Sequence, residues 1–287
     1  MLLALSLIWG ASFMFIKIAD RELSPATLIL GRLGLAALTL AVFAPRGTLA
    51  ALRANARWLV VVGLVNTALP FWLLSWGETR IQSGLASIIQ AAVPIFNAAL
   101  AFCFFSESKV TGIRLAGVAV GFVGVALLVG AQPHGRLLGA VAVVGMALLY
   151  GAGGLLAARH LRRVQPHVVA LGTTAVSAVA AAPAGILQAP HHVPSWGTIG
   201  SIAVLAVLGT AVAYLLFFAL VSSAGSGYAS LVTYLVPPVA LAYGAVFLGE
   251  RFGATAFAAL AIILAGVALG TGGVRLSAVR RRLPSGA

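Results

Sequence analysis

The sequence predicts an all-α membrane protein, with ten transmembrane helices arranged as two inverted five-helix repeats around a central cavity. Three observations predict it. Hydrophobic residues fill 61% of the 287 positions and charged residues only 8%, against roughly 25% charged in soluble domains. The apolar residues fall into ten runs, at about 2–19, 25–44, 58–76, 83–105, 111–130, 137–158, 167–187, 197–221, 227–248 and 253–273. Each run is near the ~20 residues that cross ~30 Å of hydrocarbon as a helix, and too long for a barrel strand. Finally, the second half echoes the first at a nearly fixed offset.

The first run lacks a basic leader and a small-residue cleavage site, so it is expected to be a retained helix. It holds Trp9, Phe13 and, near its outer end, Lys17, which can snorkel to the interface. The second run buries Arg32 about seven residues inside. A charge there costs about 2.5–3.5 kcal/mol on insertion scales. Arg32 therefore needs a partner: Asp20, Glu22, a carbonyl or a ligand carboxylate. In the third run, Pro70 leaves the Asn66 carbonyl without its helical donor, and Phe71 and Trp72 follow. In the fourth, Ser83, Ser87, Gln90, Pro94 and Asn97 share one face by their spacing of three and four. Pro94 frees the carbonyl of Gln90. The fifth run carries Gly117, Gly121 and Gly124, small-residue spacing that permits close packing within the chain or across a dimer.

The sixth to tenth runs repeat this order. Trp9-Gly10-Ala11 returns 141 residues later as Tyr150-Gly151-Ala152, and Pro25 as Pro166. An offset of 143 relates Thr67 to Thr210, Gly84 to Gly227, Ser87 to Ser230, Pro94 to Pro237 and Glu107 to Glu250. It also pairs Phe71 with Tyr214, and Gln90 with Thr233. In the ninth run Pro237 and Pro238 free the carbonyls of Thr233 and Tyr234. The tenth run has Gly266 and Gly270. Five spans per repeat force the second copy to enter the bilayer from the opposite side. Inverted repeats of this kind place ligand sites near mid-depth between the halves.

Lys and Arg fix the orientation. With the N-terminus inside, twelve lie in cytoplasmic segments and four in outer ones, while Lys17 and Arg32 lie within the membrane. This bias predicts both termini in the cytoplasm and explains the formal charge of +13 without nucleic acid. The repeats divide as 1–131 and 132–274, followed by a basic tail, 275–287.

The chemistry is mostly exclusion. All five acids stand at span ends and all five histidines in or beside loops, so no mid-depth acid or imidazole offers a proton relay. Lys17 and Lys109 are the only lysines, and neither stands in a phosphate loop. The patterns of intramembrane aspartyl, rhomboid-like and zinc proteases are missing as well, so the chain reads as no enzyme, with no cofactor and no metal. The lone Cys103 reads as a packing residue. Glu107 and Glu250 fall at helix junctions, where each can accept amide hydrogens from the next helix's N-terminus.

Trp9-Gly10-Ala11-Ser12-Phe13, Arg32 with Ala36-Ala37-Leu38, and Gly84 through Pro94 to Glu107 resemble motifs of the EamA family of drug/metabolite transporters, as does Gly227 through Pro237 to Glu250-Arg251. The resemblance covers nearly the whole chain and is most similar to bacterial exporters of amino acids, aromatic ones included, and of metabolites. It implies a secondary transporter of the inner membrane working by alternating access, facilitative or by exchange, with a small molecule and lipid as partners and a possible homodimer through the glycine-rich fifth and tenth helices. A multidrug, nucleoside or sugar transporter is the alternative, and a channel or scaffold a more distant one. Candidate substrate-binding residues are Trp9, Phe13, Asn66, Trp72, Gln90, Asn97, Tyr150, Tyr214, Thr233 and Tyr234. The aromatics would wall the cavity and the amides and Thr233 would orient the ligand. Arg32 has no arginine counterpart in the second repeat, where Thr173 stands.

Overall fold

The computed structural model describes residues 1–104, 112–132, 134–224 and 226–270. Glu107, Lys109 and the basic tail 275–287 lie outside them. The described chain is helical. Its helices are α1 Leu2–Ala19, α2 Pro25–Val42, the short α3 Thr48–Ala54, α4 Ala56–Glu78, α5 Ser83–Phe104, α6 Ile113–Gly130, α7 His134–His160, α8 Pro166–Leu187, α9 Trp196–Val221, α10 Val232–Leu248 and α11 Ala254–Gly270. Eight are long and apolar enough to cross a membrane, while α10 and α11 are shorter apolar helices.

Local chemistry sets several helix starts. Ser24 caps α2 by accepting the Thr27 amide at 3.2 Å, with Pro25 in the first turn. Ser195 caps α9 at 3.3 Å, and Glu22, in the turn after α1, accepts the Ser195 amide at 2.7 Å.

Packing runs mainly between the two halves. The principal pairs are α6 with α11, α2 with α8, α1 with α10, and α4 and α5 with α7. The pairing survives exchange of each helix for its counterpart in the other half: α1 lies against α9 and α10 as α7 lies against α4 and α5. The closest approach is between α6 and α11. A methyl group on Gly266 would strike the backbone of Gly117 and Gly121, and one on Gly117 the backbone of Leu269 and Gly270. These glycines thus meet inside one chain. Of the two alternatives that their spacing allows, this is the contact within the chain. Cys103 is exposed and not packed.

Two long helices contain a π-helical segment, Leu64–Ala68 in α4 and Val207–Val212 in α9. Their first residues are 143 apart, which is the offset of the sequence repeat. The fourth and ninth runs are each interrupted. The helix stops at Gln90 and resumes at Val93, and a single turn, Ser226–Ala229, precedes α10.

At the far end of α10, Gly249 adopts φ +66, a left-handed cap that glycine takes without strain. The chain reverses there, and Glu250 accepts the Ser83 amide at 2.7 Å, the Ser83 hydroxyl at 3.0 Å and the Gly84 amide at 3.1 Å. Glu250 therefore caps a helix N-terminus, but that of α5 in the other half, not of the next helix as the sequence suggested.

Candidate functional site

Arg32 organises the interior. It lies mid-way along α2, 5% exposed. Its guanidinium stands 4.3 Å over the Phe71 ring of α4, and its Nε donates to Thr210 Oγ1 at 3.1 Å. Tyr150 of α7 meets Phe71 edge-on at 6.3 Å. Tyr150 and Tyr214 are both within electrostatic reach of Arg32 and of each other, and Tyr214 approaches Thr67. The arginine of α2 is thus enclosed by aromatic rings and hydroxyls from α4, α7 and α9.

The π-helical segments supply the two threonines. Widening the helix frees a carbonyl, and the Thr210 hydroxyl donates to that of Leu205, five residues back, at 2.9 Å. Its oxygen is then turned to accept from Arg32. In α4 the neighbouring Gly63 carbonyl accepts the Ser177 hydroxyl of α8 at 2.8 Å.

Among the described residues no acid forms an ion pair with Arg32. The acids proposed as partners are engaged elsewhere, Asp20 with the Ser75 hydroxyl at 2.7 Å and Glu22 with the Ser195 amide. Buried and without an ion-paired carboxylate, with Glu78 acting on it only electrostatically, the guanidinium can receive an anionic group in a bidentate fork.

The other sequence candidates fall into three groups. Asn66 and Asn97 lie against α7, the helix of Tyr150. The Asn97 amide donates to the Gly151 carbonyl at 3.3 Å, and Gly153 lies so close to Asn66 that a methyl group there would collide with it. Trp9, Gln90, Thr233 and Tyr234 are half-buried. Trp9 lies 5.7 Å from the Phe217 ring, and the Thr233 amide donates to the Ser230 carbonyl at 3.1 Å beside the α10 interruption. Phe13 and Trp72 stand apart. Phe13 is core, 2% exposed, while Trp72 is 42% exposed and stacked on Trp76. Trp72 is thus on the outer surface: the helix turn that aims Phe71 inward aims its neighbour out. Phe71 and Thr210 join the site through Arg32. Their signal was the repeat, which pairs Phe71 with Tyr214 and Thr67 with Thr210. Among the described residues no three His, Cys, Asp or Glu gather as metal ligands.

Many apolar helices, packed half against half around a buried cation and a ring of aromatics, define a polytopic membrane protein of transporter type. The chain belongs to the EamA-like transporter family, which matches residues 1–130 and 137–271. A probable terminal-alkyne amino-acid exporter of Streptantibioticus cattleyicolor is 32% identical over 93% of this chain and 89% of its own. A probable amino-acid metabolite efflux pump of Salmonella typhimurium is 25% identical over 96% and 94%. An uncharacterized inner membrane transporter of Escherichia coli is 27% identical over 94% and 89%. A solved crystal structure shares the fold at a TM-score of 0.63, with 17% identity, over 98% of this chain and 96% of the other.

Proposed function

We propose that the protein is a secondary transporter of the bacterial inner membrane that exports amino acids or closely related metabolites by alternating access. The observation that carries this reading is Arg32: a buried guanidinium with no acid of its own, facing Phe71, Tyr150 and Tyr214. A substrate carboxylate would supply the missing counter-charge, and the aromatic rings would take an apolar side chain. The half-buried Trp9, Asn66, Gln90, Asn97, Thr233 and Tyr234 would extend the site around it. The Streptantibioticus relative, a probable terminal-alkyne amino-acid exporter, and the Salmonella relative, a probable amino-acid metabolite efflux pump, support an amino-acid class of substrate.

In this reading ten spans form two inverted repeats, 1–131 and 132–274, with both termini in the cytoplasm. The exchange symmetry of the helix contacts and the 143-residue spacing of the π-helical segments support it. Rocking of one repeat against the other would expose Arg32 to each side in turn.

The test is counterflow in proteoliposomes holding the full chain. Labelled phenylalanine, methionine and their carboxamides are supplied against preloaded amino acid. Saturable counterflow of the free acids, with the carboxamides competing poorly, supports the reading. Equal competition by carboxamides removes Arg32 from the site, and non-saturating flux indicates a pore.

A further inference from the structure

Asp20 and Glu78 stand at helix ends, α1 and α4 respectively, where acids ordinarily meet water. Here they do not. Glu78 is 0% exposed, and neither of its carboxyl oxygens has a hydrogen-bond partner. Asp20 Oδ1 accepts from Ser75 while Oδ2 is buried without a partner. Lys17 reaches the same place, but its Nζ donates to the backbone carbonyls of Glu78 and Ile81, the latter at 2.7 Å. Glu250 and Arg32 also act on Glu78 electrostatically, less than Asp20 and Lys17 do. The Glu250 carboxylate is held by the Ser83 and Gly84 amides and Arg32 by Thr210. From α7, the contacts beside Glu78 are Gly139 and Val143 against Gly77, which bring no charge.

The charges decide what this cluster can hold. One ammonium and two carboxylates carry a net charge of −1, and among the described residues the Ser75 hydroxyl is the one side-chain donor to the two carboxyl groups. Burying such an excess costs several kcal/mol, and a pair of nearby carboxyl groups relieves it by sharing a proton. With one proton the three groups sum to zero. Consistent with this, burial pushes the Asp20 carboxyl up to about 7.

The cluster adjoins the surface. Lys17 also lines an open depression of about 400 Å³ at this end of the molecule, together with Arg21, Arg80, Gln82, Arg136 and Glu250. One side chain is therefore shared between the depression and the acids.

We propose that Lys17, Asp20 and Glu78 form a proton-binding site whose loading and unloading couples transport to a proton gradient. Water in the depression delivers a proton to a carboxylate oxygen of the pair, forming one O–H bond. When the helices reopen to the other side that bond breaks and the proton returns to water. The loaded, neutral cluster lets α1 and α4 close together. The unloaded pair repels, and favours separation of α1 from α4. The coupling half of this proposal rests on the transporter reading above. It differs from the mid-depth relay that the sequence excludes, because the acids act from helix ends that the fold has buried.

Two measurements test it. The first needs no substrate. Infrared spectra of the reconstituted full chain should show a protonated-carboxyl C=O band at neutral pH that titrates away in alkali and is diminished in Glu78→Gln and in Asp20→Asn. The chain has only five acids, so the band is assignable. Its absence from the wild type at neutral pH overturns the site. The second uses labelled phenylalanine with the membrane potential clamped. One-for-one exchange sustains roughly a tenfold phenylalanine ratio per pH unit, since both equal about 1.4 kcal/mol. Glu78→Gln, a neutral isostere, should lose that accumulation and keep phenylalanine counterflow. Accumulation undiminished in Glu78→Gln overturns the coupling. A band that titrates and is diminished by both substitutions supports the site even where phenylalanine shows no flux, a result that counts instead against the substrate reading.

Discussion

The two π-helical segments occupy equivalent positions but answer to different sequences. Leu64–Ala68 is followed by Pro70, whose ring denies the Asn66 carbonyl its ordinary partner. Val207–Val212 has Ala213 where Pro70 would fall, and the helix widens all the same. The widening therefore does not require proline. What the two segments share is a neighbour: Leu64–Ala68 packs on α8 and Val207–Val212 on α2, helices that are themselves repeat counterparts. The difference lies in what those neighbours offer. Helix α8 presents the Ser177 hydroxyl to the Gly63 carbonyl, whereas α2 presents the Arg32 guanidinium to Thr210. A near-symmetric frame thus holds one unmatched charge, and that asymmetry is where substrate discrimination is expected to reside.

The frame breaks most completely at its tightest contact. Gly266→Ala places a methyl group against the backbone of Gly117 and Gly121, which cannot swing aside as a side chain would. Overpacking of this kind costs about 1–3 kcal/mol or more. The detergent-solubilised variant should melt well below the wild type. Gly200→Ala in α9 is the control, because nothing lies within 4 Å of the added carbon. It should melt at or slightly above the wild type, since alanine is the better helix former. Equal melting of the two variants would show that the α6–α11 seam is looser than described.

Removing the unmatched charge should leave the frame intact and blunt recognition. Arg32→Gln loses charge-assisted hydrogen bonds worth about 1.5–3 kcal/mol, so half-saturation for amino-acid counterflow should rise roughly 10- to 150-fold. Arg32→Lys should recover only part, since an ammonium lacks the planar fork. Unchanged half-saturation in Arg32→Gln would move the carboxylate site elsewhere.

Much of this was legible in the sequence. The apolar runs, their lengths and the paired Thr, Gly, Ser and Pro residues point to a duplicated bundle of helices. The glycines of the fifth and tenth runs announce a close helix contact, though not whether it lies within the chain or across a dimer. The site was harder. Trp72 and Phe71 are equally aromatic neighbours, and only the helix phase separates the one on the surface from the one over Arg32. Glu78 reads as a span-end acid because distance along the chain says nothing about what packs over it. The widened segments left no mark, since Ala213 and Pro70 permit the same backbone.

The comparison sharpens at the two threonines. Thr210→Val removes the acceptor of Arg32 Nε and the donor to Leu205, while Thr67→Val removes a hydroxyl that faces Tyr214. A neutral hydrogen bond contributes about 0.5–1.5 kcal/mol, so Thr210→Val should weaken half-saturation roughly 2- to 10-fold. Thr67→Val should change it less. Equal losses would mean that both halves bear on the ligand alike, and the asymmetry assigned to Arg32 would lose its support.

The smallest effect is expected at Pro70. If packing on α8 shapes the first segment, as packing on α2 must shape the second, Pro70→Ala leaves the helix widened and Phe71 over Arg32. Flux and half-saturation should stay close to the wild type. The restored amide can donate to the Asn66 carbonyl, so the melting temperature should hold or rise slightly. If proline instead creates the widening in the first half, the helix tightens by one residue beyond that point. Every later side chain of α4 then rotates by about 100°, Phe71 leaves the guanidinium, and transport falls as it does in Arg32→Gln. The two outcomes lie far apart, so a single uptake curve separates a bulge imposed by the fold from one written into the chain.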